Sequence, residues 1–392
     1  MGTIGDRDDA LTEFRYTNAA QEVLFGVGIL IQLGEAADHH HWRRLMLCTI
    51  PRFQTSGLVS QLKNILGSRL VAIFAQVKPH VPQNQVEAAT TLASENKIDA
   101  VIGLGGGSPI GMAKAVSLSL EEQKTGRPAR ARSLTDQPLF PVIAIPTTYS
   151  GSEMTPIYGV TQETNGIIRK VTVTDPKVTP KLAIYDPELT LPLPPQMTAS
   201  SGINALAHCV EAVYSITRNP LSTAAALQGI GHITRSLLRS VENGDDLDAR
   251  TELFLGAYLA AVSISTAKIG LHHGLCHVLG GTAGVPHGIA NAIILPHAMR
   301  FNADVTTSEL AAVARAMGLA GEQDQELAEQ AAKTVYNLIM QTGLPQCLRD
   351  VGVTEADLPY LAQVALKSAA VRNNPKPITS AAQTEAVFRA AW

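Results

Sequence analysis

Cysteine is scarce in this chain of 392 residues: Cys48, Cys209, Cys276 and Cys347 are far apart and never form a CxxC pair. Four such residues are too few for a disulfide framework or a structural zinc knuckle, and they suit a reducing cytoplasm. Long apolar runs are also missing. No window reaches the roughly 18 uninterrupted apolar residues of a membrane helix. The opening MGTIGDRDDALTEFRY is acidic where a secretory signal is basic and then greasy, so neither a membrane span nor export is expected. Nor is there an excess of one charge. Against 34 Asp+Glu stand 31 Lys+Arg, a formal charge of −3, which argues against nucleic acid or another polyanion as partner.

What is present is a globular composition, 45% apolar and 17% charged, which rules out disorder for the bulk of the chain. The length exceeds what one ordinary core needs, so two domains are expected. From Glu22 to about Asp186, short β-rich runs alternate with amphipathic stretches, the signature of βαβ units and a parallel sheet. The strand candidates are 44–49, 70–74, 100–104, 141–146 and 182–185, with crossover helices at 55–66 and 84–95. After the four prolines of Asp186-Pro-Glu-Leu-Thr-Leu-Pro-Leu-Pro-Pro195, Ala/Leu-rich helical periodicity takes over, best shown at 257–264, 310–317 and 327–340. The expected architecture is a Rossmann-like α/β domain over residues 1–190 and an all-α domain over 191–392, with the site in the cleft between them. The triplet His39, His40, His41 beside Trp42 reads as a solvated helix end, because adjacent helical residues point about 100° apart.

Three stretches carry chemistry. In Val101-Ile-Gly-Leu-Gly-Gly-Gly-Ser-Pro-Ile-Gly111 a strand runs through glycines into a helix. Glycines let backbone approach a phosphate, Ser108 would cap the helix, and Pro109 suits its first turn. The spacing is not GxGxxG, so a tight turn without ligand stays open. The second is the hydroxyl-rich loop after a strand, Ile145-Pro-Thr-Thr-Tyr-Ser-Gly-Ser-Glu-Met-Thr155, which could hold ribose or phosphate or merely cap itself. The third is a histidine set. Asn204 and His208 are four apart, His273 and His277 repeat that spacing, and His287 follows a Gly-rich turn. Five of the eleven histidines fall between His272 and His297, which argues for a shared pocket. His272 and His297 read as structural, since His272 leaves the 273/277 face.

On these residues the chain resembles the iron-containing alcohol dehydrogenase superfamily, from about Phe25 to Phe388. The GGGS turn, the Pro-Thr-Thr loop, the Asn-Ala-x-Ala-His helix and His-Gly-x-x-His…Pro-His-Gly occur in the family's order. The resemblance implies an NAD(P)-binding α/β domain, a helical domain of the dehydroquinate synthase type, reduction of a carbonyl between them, and a homodimer. Within the superfamily the chain is most similar to the maleylacetate reductases. Gly111 stands where alcohol dehydrogenases usually carry Asp, and Asn204 replaces the Asp that gives a metal its carboxylate. That implies reduction of maleylacetate, a small dicarboxylate keto substrate, to 3-oxoadipate in aromatic-compound breakdown, with hydride delivered from NADH or NADPH to the keto group.

The family pattern puts a metal at Asn204, His208, His273 and His287. Asn offers only a neutral carbonyl, so a metal-independent enzyme is expected. Protonated histidines would then stabilise the developing oxyanion and bind the substrate's carboxylates, with His273 or His277 as donor and His208, His287 and Asn204 around the substrate. Arg169, Arg300 and Arg372 are candidates for a rim cation. For the cofactor, the resemblance implies Gly105, Gly106, Gly107 and Ser108 at the pyrophosphate, Thr147 and Thr148 in the nucleotide loop, and Lys170 near the nicotinamide ribose. Thr49-Ile-Pro51 stands where NAD-selective relatives place Asp, which leaves the choice between NADH and NADPH open. The rival activities are an iron- or zinc-dependent alcohol dehydrogenase on small alcohols or aldehydes, and an NAD-using lyase or cyclase of the dehydroquinate synthase type.

Overall fold

The computed structural model describes residues 14, 16, 21–133, 136–164 and 167–392, without the side chains of 163–170. Six strands form one parallel sheet: β1 (Glu22–Phe25), β2 (Leu45–Cys48), β3 (Leu70–Phe74), β4 (Ala100–Gly105), β5 (Val142–Pro146) and β8 (Leu182–Tyr185), in the order β1-β8-β5-β4-β2-β3. A separate antiparallel hairpin pairs β6 (Ile157–Thr164) with β7 (Ile167–Thr174). Four of the six sheet strands, LMLC, AVIGLG, VIAIP and LAIY, are buried along their whole length, as expected where helices cover both faces. Those helices are α1 (Leu33–His39), α2 (Arg52–Thr55), α3 (Leu58–Leu66), α4 (Gln83–Glu95) and α5 (Gly107–Thr125). Met46, Val101 and Val142 face one apolar core, and Leu47, Ile102 and Ile143 the other.

The strands anticipated from the sequence agree to within a residue or two. Two elements were missed. β1 is only four residues long and sits at the sheet edge, held there by Asp186, whose carboxylate accepts from the amides of Gly28 and Leu30 at 3.0 Å each. The hairpin lies outside the sheet, and its Thr/Glu/Lys content hides its alternation. The His39–His41 helix end is largely solvated as anticipated, with His40 stacked on Trp42 at 4.4 Å.

From Pro195 the chain is helical: α6 (Pro195–Val213), α7 (Pro220–Glu242), α8 (Leu247–Thr266), α9 (Leu271–Thr282), α10 (His287–Asn302), α11 (Thr307–Ala316), α12 (Asp324–Gln341), α13 (Leu358–Ala365) and α14 (Ala381–Ala390). Local chemistry fixes several starts. Asn219 forms a capping box with Ser222 ahead of Pro220, and Asp246 caps α8 through the Ala249 amide. No single described helix is long and apolar enough to cross a membrane.

Candidate active site

The glycine turn is built by a clash it avoids. A Cβ on Gly103 would lie 2.8 Å from the Ile110 Cα, and one on Gly105 (φ +137) 2.8 Å from Pro109 Cγ, so only glycine lets α5 close over β4. The anticipated cap is corrected here. Gly106 is the N-cap, Ser108 already lies inside α5, and no side chain caps this end. The first-turn amides of a 19-residue helix therefore face the cleft with the helix dipole behind them, which suits a pyrophosphate. The hydroxyl-rich loop abuts this turn. Thr147 N donates to Gly105 O at 3.1 Å, and a Cβ on Gly106 would lie 3.2 Å from the Thr148 side chain.

A residue that sequence reasoning missed holds that loop. Lys114, fully buried on α5, donates from Nζ to the carbonyls of Ser152 (2.6 Å), Thr155 (2.7 Å) and Ile157 (3.0 Å). Burial draws its pKa down to about 7 while Glu153 pulls it up, and three acceptors match the three N–H bonds of an ammonium. The motif Gly111-Met-Ala-Lys contained the signal, a lysine among the apolar residues 109–116 of α5.

The other wall is helical. Gly106, Gly107, Ser108, Thr147, Thr148, Ser150, Asn204 and His287 line one cleft of about 380 Å³ between the sheet's carboxyl edge and α6 and α10. Asn204 Nδ2 donates to Ser150 O at 3.3 Å, and Gly151 (φ +81) comes so close to His208 that a Cβ would meet its ring at 3.6 Å. Deeper in, the rings of His208 and His273 stack at 4.6 Å and 7°. His277 and His287 stack at 5.7 Å, and His273 lies 6.3 and 6.0 Å from these two. The five anticipated residues are thus brought together, with His208 and His273 buried and His277 and His287 exposed. His297 does not enter these ring contacts. Gly105 sits behind the cleft wall in contact with Pro109, and the Lys170 and Arg169 side chains lie outside the described residues.

Behind His273 stands Glu211, also missed, though it falls on the Asn204/His208 face of α6 at seven residues from Asn204. Its Oε2 lies 2.6 Å from His273 Nδ1, while Oε1 accepts from the backbone of Gly270 (3.1 Å) and His272 (2.9 Å), so it serves as the cap that α9 lacks. His272 sits behind it with Nε2 on Asn291 O at 3.1 Å and Nδ1 3.2 Å from His273 Nδ1. Ser150 Oγ, Asn204 Oδ1, His208 Nδ1 and His273 Nε2 are among the buried polar atoms that have no hydrogen-bond partner among the described residues.

The electrostatics correct one expectation. Burial drives His208 and His273 well below the usual imidazole range and raises Glu211, so His208 and His273 are not the cations foreseen to bind carboxylates. Glu211 and His273 share a desolvated pocket that favours a net-neutral pair holding one proton between Oε2 and Nδ1, and either placement of that proton leaves Nε2 carrying a hydrogen.

The same geometry tests the family's metal. The donors are three imidazoles and an amide oxygen. Two rings stacked face to face cannot both hold one ion in their planes, and no carboxylate completes the set. Glu211, His272 and His273 do bring ligand atoms within 4.8 Å of one another, but these atoms are engaged with each other, with backbone amides and with Asn291 O. In this arrangement the anticipated set of Asn204, His208, His273 and His287 offers an ion neutral donors only. Of the anticipated rim arginines, Arg300 lies over the Tyr336 ring and Arg372 donates to Lys367 O, and neither lines the cleft.

Two family models match, "Iron-containing alcohol dehydrogenase" over residues 20–187 and "Fe-containing alcohol dehydrogenase family, C-terminal" over 198–392. The chain is 35% identical to a maleylacetate reductase of Burkholderia cepacia, covering 94% of this chain and 95% of that one. It is 34% identical to a 1,3-propanediol dehydrogenase of Klebsiella pneumoniae, covering 82% and 83%. The crystal structure of a Rhizobium maleylacetate reductase superposes with a TM-score of 0.84 at 30% identity, covering 97% and 99%.

Proposed function

Because the chain belongs to the iron-containing alcohol dehydrogenase family, and is an oxidoreductase, we propose that it is a maleylacetate reductase that works without a metal ion. The observation that carries this reading is the Glu211–His273 pair. The carboxylate that a bound ion would need stands behind an imidazole instead, and Asn204 holds the front position. Relatives named maleylacetate reductase match over nearly the whole chain.

A reduced nicotinamide supplies hydride when bound, and the residues present fit it. Gly106, Gly107 and Ser108 would hold the pyrophosphate at the uncapped α5 terminus, and Thr147 and Thr148 the nucleotide beside it. The chemistry of the two acids corrects the expected point of attack. 3-Oxoadipate still contains a ketone, so the two electrons enter the carbon–carbon double bond conjugated with the ketone of maleylacetate. Charge then develops on the ketone oxygen as an enolate.

His273 Nε2–H meets that oxygen as a donor and protonates it while the proton shared with Glu211 shifts onto Nδ1, and the enol so formed becomes the ketone by losing its O–H proton as the α-carbon of the former double bond gains one. Asn204 and His208 bound the substrate at the same depth. The exposed His277, 6.3 Å from His273 between ring centroids, links the pair to solvent for reprotonation.

The test is oxidation of reduced nicotinamide, followed by absorbance, with maleylacetate against a panel of simple aldehydes. Rapid stoichiometric oxidation with the dicarboxylate alone is expected. Preference for the aldehydes, or consumption of maleylacetate without loss of reduced cofactor, would reverse the assignment.

A further inference from the structure

We infer that Arg52 makes this cleft selective for a dinucleotide bearing a 2′-phosphate, that is, for NADPH over NADH. The inference rests on reading the cleft as a dinucleotide site and adds which dinucleotide it takes. In the sheet, β4 lies between β5 and β2. The loop after β5 touches the histidine helix through Ser150 and Gly151, so the reacting end of the cofactor belongs on the β5 side. The phosphate-binding turn follows β4. A molecule extended across that turn must therefore lay its adenosine half on the β2 side, one strand spacing of about 4.8 Å further along the carboxyl edge.

The residues past β2 are Thr49, Ile50, Pro51 and Arg52. In open α/β sites a carboxylate at this place accepts the ribose 2′-hydroxyl, whereas an arginine accommodates a 2′-phosphate. Here Thr49 is fully buried and its hydroxyl is spent on Leu104 O at 2.9 Å, and Ile50 and Pro51 carry no polar side chain. Arg52 lines the cleft. Its guanidinium carbon lies 5.6 Å from the Phe53 ring centroid and Nη2 is held on Pro192 O at 2.9 Å. One donor fixes the group, and the planar fork still offers others to a phosphate.

Charge complementarity supports this. No Asp or Glu lines the cleft among the described residues. A neighbouring hollow of about 520 Å³ shares Val77 and Pro79 with the cleft, and the charged residue on its wall is Lys78. A dianionic group entering from the sheet edge thus meets two cations and no acid, while a bare hydroxyl gains little from either.

The experiment compares calorimetric binding of 2′,5′-ADP and 5′-AMP, which differ by the 2′-phosphate and contain neither nicotinamide nor keto acid. Wild type is expected to bind 2′,5′-ADP tighter by roughly tenfold or more, the strength of a charge-assisted hydrogen bond. Arg52→Ala should bring the ratio close to one, and Arg52→Lys should restore part of it. Arg52 is exposed, so both variants should fold; circular dichroism verifies this, and the wild-type ratio is a test in its own right. A wild-type ratio near one, or a ratio that survives Arg52→Ala, would overturn the inference. Maleylacetate reduction that runs as well with NADH as with NADPH would overturn it too, while leaving the substrate reading intact.

Discussion

Glu211 combines two tasks that proteins usually divide between residues. One oxygen terminates α9 by accepting two backbone amides, and the other orients His273 and shares its proton. Because burial raises Glu211, its proton is held to higher pH than in an ordinary carboxyl and is lost as pH rises further. The expected outcome is a kcat/KM that falls as pH rises through the pair's deprotonation. Glu211→Gln preserves the shape and the cap, but an amide has no proton to relay, so kcat should drop by roughly a hundredfold with KM little changed. The fall in kcat/KM at higher pH should vanish with it. An unaltered pH profile in that variant would assign Glu211 a purely structural part. Of this site, the histidines were legible because polar rings at four-residue spacing stand out in apolar sequence. Glu211 was not, because a lone glutamate on a helix reads as a solvated one until burial is known.

The glycine turn and the hydroxyl-rich loop are separate in sequence and joined by one side chain. Lys114 fastens the far end of the loop to α5, so the loop's position depends on a buried ammonium donating to three carbonyls. Lys114→Met should leave those carbonyls unsatisfied and Glu153 without its nearby charge. A loss of about 2–4 kcal/mol is expected, read from the urea transition, together with a higher KM for the cofactor. An unchanged transition would show that the loop holds itself. Elements of this lobe were legible where strands are apolar throughout, as in Ala100–Gly105. They were not where tertiary contacts decide. β1 is held by Asp186, and the 157–174 hairpin packs outside the sheet, with Thr161 N donating to Val81 O at 3.1 Å to join it to the turn before α4.

Across the whole molecule, the two lobes meet through an aromatic cluster in which Tyr185 and Phe254 lie 5.0 Å apart and Tyr149 and Phe254 5.6 Å. Beside it the buried Arg250 reaches Tyr149 OH, Thr198 Oγ1 and Leu193 O, tying the hydroxyl-rich loop to α6 and to the chain that connects the lobes. The change from strands to helices across the prolines at 187–195 made the division visible in advance. Which face each lobe turns to the other was not legible, since it depends on contacts such as Gly151 against His208 and Gly288 against Ser200. That closure leaves little solvent around His208 and His273, and it makes a neutral hydrogen-bonding pair more suitable there than an uncompensated ion. The most direct measurement is turnover of maleylacetate by protein stripped with a chelator, with bound metal determined on the same sample. The proposed metal-free mechanism predicts undiminished turnover at far less than one metal ion per chain. Turnover that disappears on chelation and returns when a divalent ion is added would contradict it.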